Sequence, residues 1–152
     1  ERYLKTLETR KVRKARKMKK IKVEISPADF LDRLSILNIK LENFENKEKK
    51  DAVRKAKASL FVGNIDQFNS MNDDIYVRKM YLALQEVNKE IWVLEDIVRS
   101  QELVKRYGGS LEKGGSLETY RSITSLNDAR HRIKSKIDSH LKSSIGEEKG
   151  YR

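Results

Sequence analysis

One stretch decides the fold of this chain: residues 72–106 read NDDIYVRKMYLALQEVNKEIWVLEDIVRSQELVKR. Apolar side chains recur in it at alternating steps of three and four residues, the period of an α-helix that is buried along one face. The apolar positions are Val77, Met80, Leu84, Val87, Ile91, Leu94 and Val98. The stretch therefore predicts one long amphipathic helix, which Ser70 or Asn72 caps and Gly108-Gly109 ends.

Upstream, Ser26-Pro27-Ala28-Asp29 is a strong helix start. Ser26 can cap the helix, Pro27 suits the first helical position, and Asp29 answers the helix dipole. An apolar stripe follows at Phe30, Leu34, Leu37, Leu41 and Phe44. We expect a second helical segment over 51–62, ended by Gly63, and then a loop over 64–70.

Downstream, the unit GGSLE occurs twice between residues 108 and 118 and predicts a flexible loop between helices. Ser116 can then cap a last helix over 117–142. Its inward positions are Tyr120, Ile123, Leu126, Ile133, Ile137 and Leu141.

Together these segments predict an all-α fold: an antiparallel bundle of three to four long amphipathic helices with one short N-terminal strand. The strand is expected because polar and apolar residues alternate from Lys19 to Ile25. The expected organisation is a basic arm over 1–20, a helical bundle domain over 21–146 and a tail over 147–152. Each near-heptad stripe must be covered by another helix, so we expect a coiled-coil-like homo-oligomer.

The composition narrows the classes of function. The 152 residues suit one domain with a real core. The absence of cysteine excludes disulfides and thiolate metal sites and suits a reducing, cytoplasmic compartment. No apolar run reaches the roughly 20 residues of a membrane span. His131 and His140 lack a Glu-x-x-His neighbour, and neither a catalytic triad nor a phosphate loop is visible, so we expect no catalytic set, metal or cofactor.

The positive charge is concentrated at one end of the sequence. Of the net charge of +11, residues 1–20 supply +8, from ten Lys or Arg against Glu1 and Glu8, which leaves +3 for the rest. Such an arm suits contact with phosphate backbones, so nucleic-acid association is an alternative function. Its candidate residues are Arg10, Lys11, Arg13, Lys14, Arg16 and Lys17. Because the alternating pattern begins directly after Met18, we also consider Met18 as the natural start and residues 1–17 as an upstream extension.

Two charged residues occupy stripes that should be apolar. Glu95 lies about 20° from Leu84 around the long helix, and Arg130 lies about 20° from Ile123 around the last one. Since a buried carboxylate needs a partner, we expect Glu95 to pair with Arg130. Two interpretations stay open. The pair is a structural device that sets the register of the helices, or it belongs to a pocket for an anionic or hydroxylated ligand that Lys40, Arg99 and Arg130 contact.

An enzymatic alternative rests on acidic residues of the long helix. Glu86, Glu90, Glu95 and Asp96 resemble the acidic helices that hold Mg²⁺ in all-α nucleotide pyrophosphohydrolases. They lack the matched ExxE spacing, and a solvated helix surface is the plainer interpretation. The alternative would be a small helical enzyme that acts on a nucleotide or nucleotide-sugar.

Four spaced segments carry a resemblance to a known family. They are IKVEISPADFLDRLSILNIKLENF (21–44), EVNKEIWVLEDIVR (86–99), YRSITSLNDARHRIKSKI (120–137) and EEKGY (147–151). They resemble a family of small, uncharacterised bacterial and phage proteins that are often encoded beside, or fused to, glycosyltransferases of cell-surface polysaccharide synthesis. The resemblance implies an all-helical domain and a link to glycan assembly, without an established activity.

The same resemblance implies a polar signature in this chain. It falls on Asp32, Lys40, Asn88, Glu95, Asp96, Arg99, Asn127, Asp128 and Arg130. All of these except Asp32, which lies away from the apolar face of its own helix on a helical wheel, form our candidate inter-helix polar cluster. The leading hypothesis is a non-enzymatic helical binding or interaction module that self-associates and serves glycosyltransferase partners.

Overall fold

A computed structural model describes residues 17–106 and 115–146 of the chain. They form five α-helices, which are α1 (Pro27–Asn43), α2 (Lys47–Phe61), α3 (Ile65–Asp73), α4 (Ile75–Arg106) and α5 (Gly115–His140). No strand occurs among these residues. The all-α prediction is confirmed, whereas the structure has five helices instead of three to four and lacks the short N-terminal strand in its described part.

Several predictions lie outside the described residues. These are residues 1–16 of the arm over 1–20, the Gly108-Gly109 stop with most of the GGSLE repeat, and the tail over 147–152. Five of the six candidate nucleic-acid residues belong to that arm: Arg10, Lys11, Arg13, Lys14 and Arg16. The sixth, Lys17, is described and exposed.

The predicted strand is replaced by an irregular segment that is exposed up to Glu24. Residues 17–26 have no regular secondary structure, and the side chains of Ile21 and Val23 face solvent. A strand needs a neighbouring strand to satisfy its backbone N–H and C=O groups. Because the described elements around this segment are all helices, the alternating pattern has no strand to pair with.

The start of α1 agrees with the sequence. Ser26 is buried, and its side chain accepts a hydrogen bond from the backbone N–H of Asp29 at 3.1 Å. Pro27 occupies the first helical position. The predicted cap is therefore confirmed, and it fixes where the chain enters the core.

The connection between α2 and α4 corrects the predicted loop. Gly63 follows α2 with φ 75°, a left-handed conformation that suits a residue just past a helix end. Residues 65–73 then form α3 instead of a loop. The cap of α4 is Asp74, whose Oδ1 accepts from the backbone N–H of Val77 at 3.0 Å, rather than Ser70 or Asn72. Helix α5 begins at Gly115, before the predicted cap Ser116.

The hydrophobic core takes its buried residues from α1, α3, α4 and α5, and α2 adds partly buried side chains such as Phe61. Its buried members are Ala28, Phe30, Leu31, Leu34, Met71, Val77, Leu84 and Ile137. Three aromatic rings pack together at its edge. The ring centroid of Phe30 lies 5.5 Å from that of Phe61 and 6.1 Å from that of Phe68. Since α1 contacts α2, α4 and α5, its first half has almost no solvent face.

Contacts at several points give the directions of the long helices. His140 at the end of α5 meets Asp74 just before α4, whereas Asn88 and Arg130 from the middle of the two helices meet on Asp32. Helix α5 therefore runs antiparallel to α4. Among the described residues, no helix is both long enough and apolar enough to cross a membrane.

Candidate functional site

Polar contacts join α1 to α5 in successive helical turns. The backbone N–H of Ala28 donates to Asp138 Oδ1 at 2.9 Å, and one turn earlier in α5 Lys134 Nζ lies 2.7 Å from Oδ1 of Asp29, the next residue of α1. Asp138 and Lys134 are both buried. The first N–H groups of a helix have no acceptor within the helix. The carboxylate of Asp138 stabilises α1 because it accepts from one of these N–H groups, at the positive end of the helix dipole. We call this series, together with the next contact, the α1–α5 ladder.

The next contact of the ladder is an ion pair whose carboxylate is buried. Arg130 Nε donates to Asp32 Oδ1 at 2.9 Å, and Arg130 Nη2 donates to Asp32 Oδ2. Asn88 of α4 donates to the same Oδ1 at 3.0 Å and to Ser35 Oγ at 3.2 Å. The Asp32 side chain is only 5% exposed. Three helices thus converge on one carboxylate, in the bidentate geometry that a guanidinium favours.

This arrangement corrects the expected partner of Arg130. Glu95 instead pairs with Arg99 on its own helix, with Arg99 Nη2 3.1 Å from Glu95 Oε2, and its side chain is 47% exposed. The helical wheel placed Glu95 on the side of Leu84, but α1 ends near this level, where Phe44 packs against Trp92. Beyond that point the inward side of α4 is not covered by α1.

Asp32 is the second correction. The helical wheel placed it away from the apolar face of α1, yet it is buried. A wheel assumes one buried face and one solvent face. Helix α1 is covered by three other helices, so both its apolar side and its polar side are enclosed.

The structure divides the candidate polar cluster. Asn88 and Arg130 come together on Asp32. Asp96 joins the exposed pair of Glu95 with Arg99, since Arg99 Nη1 lies 3.5 Å from Asp96 Oδ1. The remaining three members are half-buried, Lys40 on α1 and Asn127 and Asp128 on α5.

The acidic group on α4 has the geometry of a solvated helix surface. Glu86 Oε1 lies 3.8 Å from Lys89 Nζ. Glu95 and Asp96 both form ion pairs with Arg99. Among the described residues, no three His, Asp or Glu side chains are placed to hold a metal ion together.

Sequence reasoning missed that Lys134 and Asp138 act with Arg130. The available signal was spacing: positions 130, 134 and 138 are four residues apart and therefore follow one face of α5. Opposite them, Asp29 and Asp32 are three apart on α1. Complementary charges at helical spacing on two segments indicate a polar seam between helices.

A second polar contact fastens α5 to the start of α4. His140 Nε2 lies 2.8 Å from Asp74 Oδ2, and its ring centroid is 4.5 Å from that of Tyr76. The hydrogen bond from the backbone of Val77, followed by the interaction with His140, lowers the pKa of the Asp74 carboxyl from its ordinary value. The cap of α4 and the end of α5 are therefore stabilised by the same side chain.

The side of α4 opposite the core carries a second row of apolar residues. Ile75, Leu82, Val93 and Ile97 lie on this side and are between 41% and 68% exposed. Around and between them lie Lys79, Glu86, Lys89 and Glu90, all exposed. We call this surface the outer face of α4. A helix that is apolar on two sides is typical of one that contacts a further partner.

The chain belongs to DUF6165, a family of unknown function, whose model matches residues 21–152. No curated protein and no solved structure shows significant similarity to the chain.

Proposed function

We propose that the chain is a helical interaction module that self-associates through the outer face of α4 and, as an assembly, binds a glycosyltransferase of cell-surface glycan synthesis. The observation that carries the proposal is the double-sided apolar character of α4. Its inner side packs in the core through Val77, Leu84 and Ile91, and its outer side leaves four large aliphatic side chains in solvent.

The buried polar residues support a structural role for the interior. Both oxygens of Asp32 already accept hydrogen bonds from Arg130 or Asn88. A carboxylate satisfied in this way stabilises the packing of three helices and has little capacity left for a ligand. We therefore favour the structural interpretation of the inward charges and assign recognition to the surface.

The charges of the outer face favour a second copy of the chain as its occupant. Lys79 and Lys89 are balanced by Glu86 and Glu90 along the apolar row. Two copies of this face therefore meet without net repulsion, and their aliphatic side chains leave water together. In the two-fold symmetric dimers that are commonest among oligomers, the same surface contributes on both sides.

The oligomeric state of the full chain tests this proposal. We expect sedimentation equilibrium to give a dimer for the wild type and a monomer for the double variant Leu82→Glu/Val93→Glu, because two charges replace side chains at the centre of the contact. The matched control is Val62→Glu/Ile65→Glu, which makes the same chemical change at exposed aliphatic residues of the α2–α3 turn and should remain dimeric. A monomeric wild type, or equal loss of dimer in both variants, contradicts self-association through this face.

The glycosyltransferase part of the proposal is supported by the family resemblance of the four segments. The tagged chain can be co-expressed with a glycosyltransferase encoded beside its gene and purified by the tag. The enzyme should co-purify with the wild-type chain. Retention should fall in Leu82→Glu/Val93→Glu if the assembly is the binding form. Absence of the enzyme from the wild-type complex would remove this part while leaving the dimer measurement intact.

A further inference from the structure

Two segments carry exposed apolar side chains that neither the core nor the outer face of α4 uses. Met18, Ile21 and Val23 precede α1, and Val62 and Ile65 flank the turn between α2 and α3. All five are between 58% and 85% exposed. Large apolar side chains with such high solvent exposure indicate a surface that contacts an apolar partner.

Contacts in the core bring the start of α1 and the end of α2 together. Phe30 in the first turn of α1 packs on Phe61, the last residue of α2, at 5.5 Å, and Phe61 packs on Phe68 of α3 at 5.1 Å. The segment that leads into α1 and the turn that leaves α2 therefore start from one aromatic cluster. We call residues 17–25 together with residues 62–65 the basic end.

The basic end is rich in lysine. Residues 17–25 contain four lysines against Glu24 alone, and all four are exposed. Helix α2, which leads to Val62, contains six Lys or Arg between residues 47 and 57 against Glu48 and Asp51. Lys55 and Lys57 lie within about 10 Å of Val62 along the helix axis. This distance is about one Debye length at 0.1 M salt, so the electrostatic potential of these lysines at Val62 is only partly screened.

We propose that the basic end docks on the surface of an anionic lipid bilayer. The aliphatic side chains enter the boundary between headgroups and acyl chains, and the lysines contact lipid phosphates. Exposed apolar residues interleaved with lysines are the combination that binds such interfaces. This inference goes beyond the proposed function and uses a different surface from the outer face of α4.

Two other occupants fit the observations less well. A second copy would place one lysine-rich surface against another, and the like charges would repel. A nucleic acid would satisfy the lysines, but it offers no apolar phase to Met18, Ile21, Val23, Val62 and Ile65. The bilayer uses both the charge and the aliphatic surface.

Sedimentation of the full chain with phospholipid vesicles tests the proposal. We expect the wild type to bind vesicles of phosphatidylcholine mixed with phosphatidylglycerol, and to bind pure phosphatidylcholine vesicles far more weakly. Lys20→Gln/Lys22→Gln should lower the partition coefficient about 25-fold, because each lysine near an anionic surface contributes about fivefold. Val62→Glu/Ile65→Glu should lower the partition coefficient at least as much, because it removes two apolar side chains from the lipid boundary and adds two negative charges.

The control variant is Leu82→Glu/Val93→Glu, which alters the outer face of α4 and leaves the basic end unchanged, so it should still bind anionic vesicles in preference to pure phosphatidylcholine vesicles. Circular dichroism of each variant checks that its helices are intact. Absence of vesicle binding by the wild type, equal binding to both lipid compositions, or unchanged binding by Val62→Glu/Ile65→Glu overturns the proposal. Binding of a DNA duplex without binding of vesicles overturns it in favour of a nucleic-acid surface.

Discussion

At the scale of single residues, the burial of Asp32 determines how the interior charges are arranged. Arg130 and Asn88 reach it from α5 and α4, and together they satisfy the carboxylate. Removing one member of a buried pair is strongly destabilising because it leaves an uncompensated charge away from water. Glu95 stands in a different position, since its side chain is 47% exposed and that of its partner Arg99 is 61% exposed.

We predict that Arg130→Met lowers the free energy of unfolding by about 3 kcal/mol, at the low end for a broken buried pair because the Arg130 side chain is 28% exposed. Glu95→Gln should change it by about 0.5 kcal/mol or less, as expected of an exposed pair. The double variant Asp32→Asn/Arg130→Met should recover part of the loss, since the unpaired charge is gone. Urea unfolding followed by circular dichroism measures all three. Equal effects of Arg130→Met and Glu95→Gln would contradict the buried network.

At the scale of helices, the chain stabilises helix ends with side chains from other helices. Asp138 of α5 accepts from the second residue of α1, and His140 of α5 pairs with the cap of α4. The last two turns of α5 therefore hold the starts of both α1 and α4. Local cap signals in the sequence identified Ser26, but they do not report such contacts between distant segments.

The cap of α4 should give the protein a specific dependence on pH. Folding lowers the pKa of the Asp74 carboxyl. The ionised carboxylate therefore stabilises the fold fully at pH values above its pKa in the unfolded chain, about 3.9. This stabilisation is lost as the pH falls through the lower pKa of the folded state. We expect the melting temperature of the wild type to exceed that of Asp74→Ala at pH 5, and the difference to shrink below about pH 4.

Asp74→Asn is the matched control, because its amide oxygen still caps the helix but does not titrate. Its melting temperature should lie between those of the wild type and Asp74→Ala at pH 5. Differential scanning calorimetry across this pH range measures each value. A difference between wild type and Asp74→Ala that stays constant down to pH 3 would show that the carboxylate is not the stabilising group.

At the scale of the whole molecule, the core is concentrated at one end of the α4–α5 pair. The buried residues of α4 are Val77, Leu84, Asn88 and Ile91, and those of α5 are Lys134, Ile137 and Asp138. None of residues 92–100 or 117–133 is buried, within the part of the chain whose side chains are described. The far half of the pair thus contributes no buried side chain to the core within that part.

Hydrogen exchange should reveal this division. We expect amides of residues 77–91 to exchange at least about tenfold more slowly than those of residues 93–100, because local opening needs less energy where fewer apolar contacts are lost. The same contrast should separate residues 130–140 from residues 118–127. The Leu82→Glu/Val93→Glu monomer serves as the control for protection by a second copy. Uniform protection along α4 in that monomer would contradict the description of the core.

The sequence by itself determined the helical class, the start of α1 at Ser26 and the long helix around Leu84, because caps and apolar periodicity are local properties. It also indicated that Asn88 and Arg130 point inward. Only the tertiary structure decided that Arg130 pairs with Asp32, that Glu95 stays at the surface and that residues 65–73 form a helix. Periodicity reports that a face of a helix is covered, but the identity and the extent of the covering helix depend on contacts between distant segments. For that reason the polar partners inside this protein became visible only when α1, α4 and α5 were placed together.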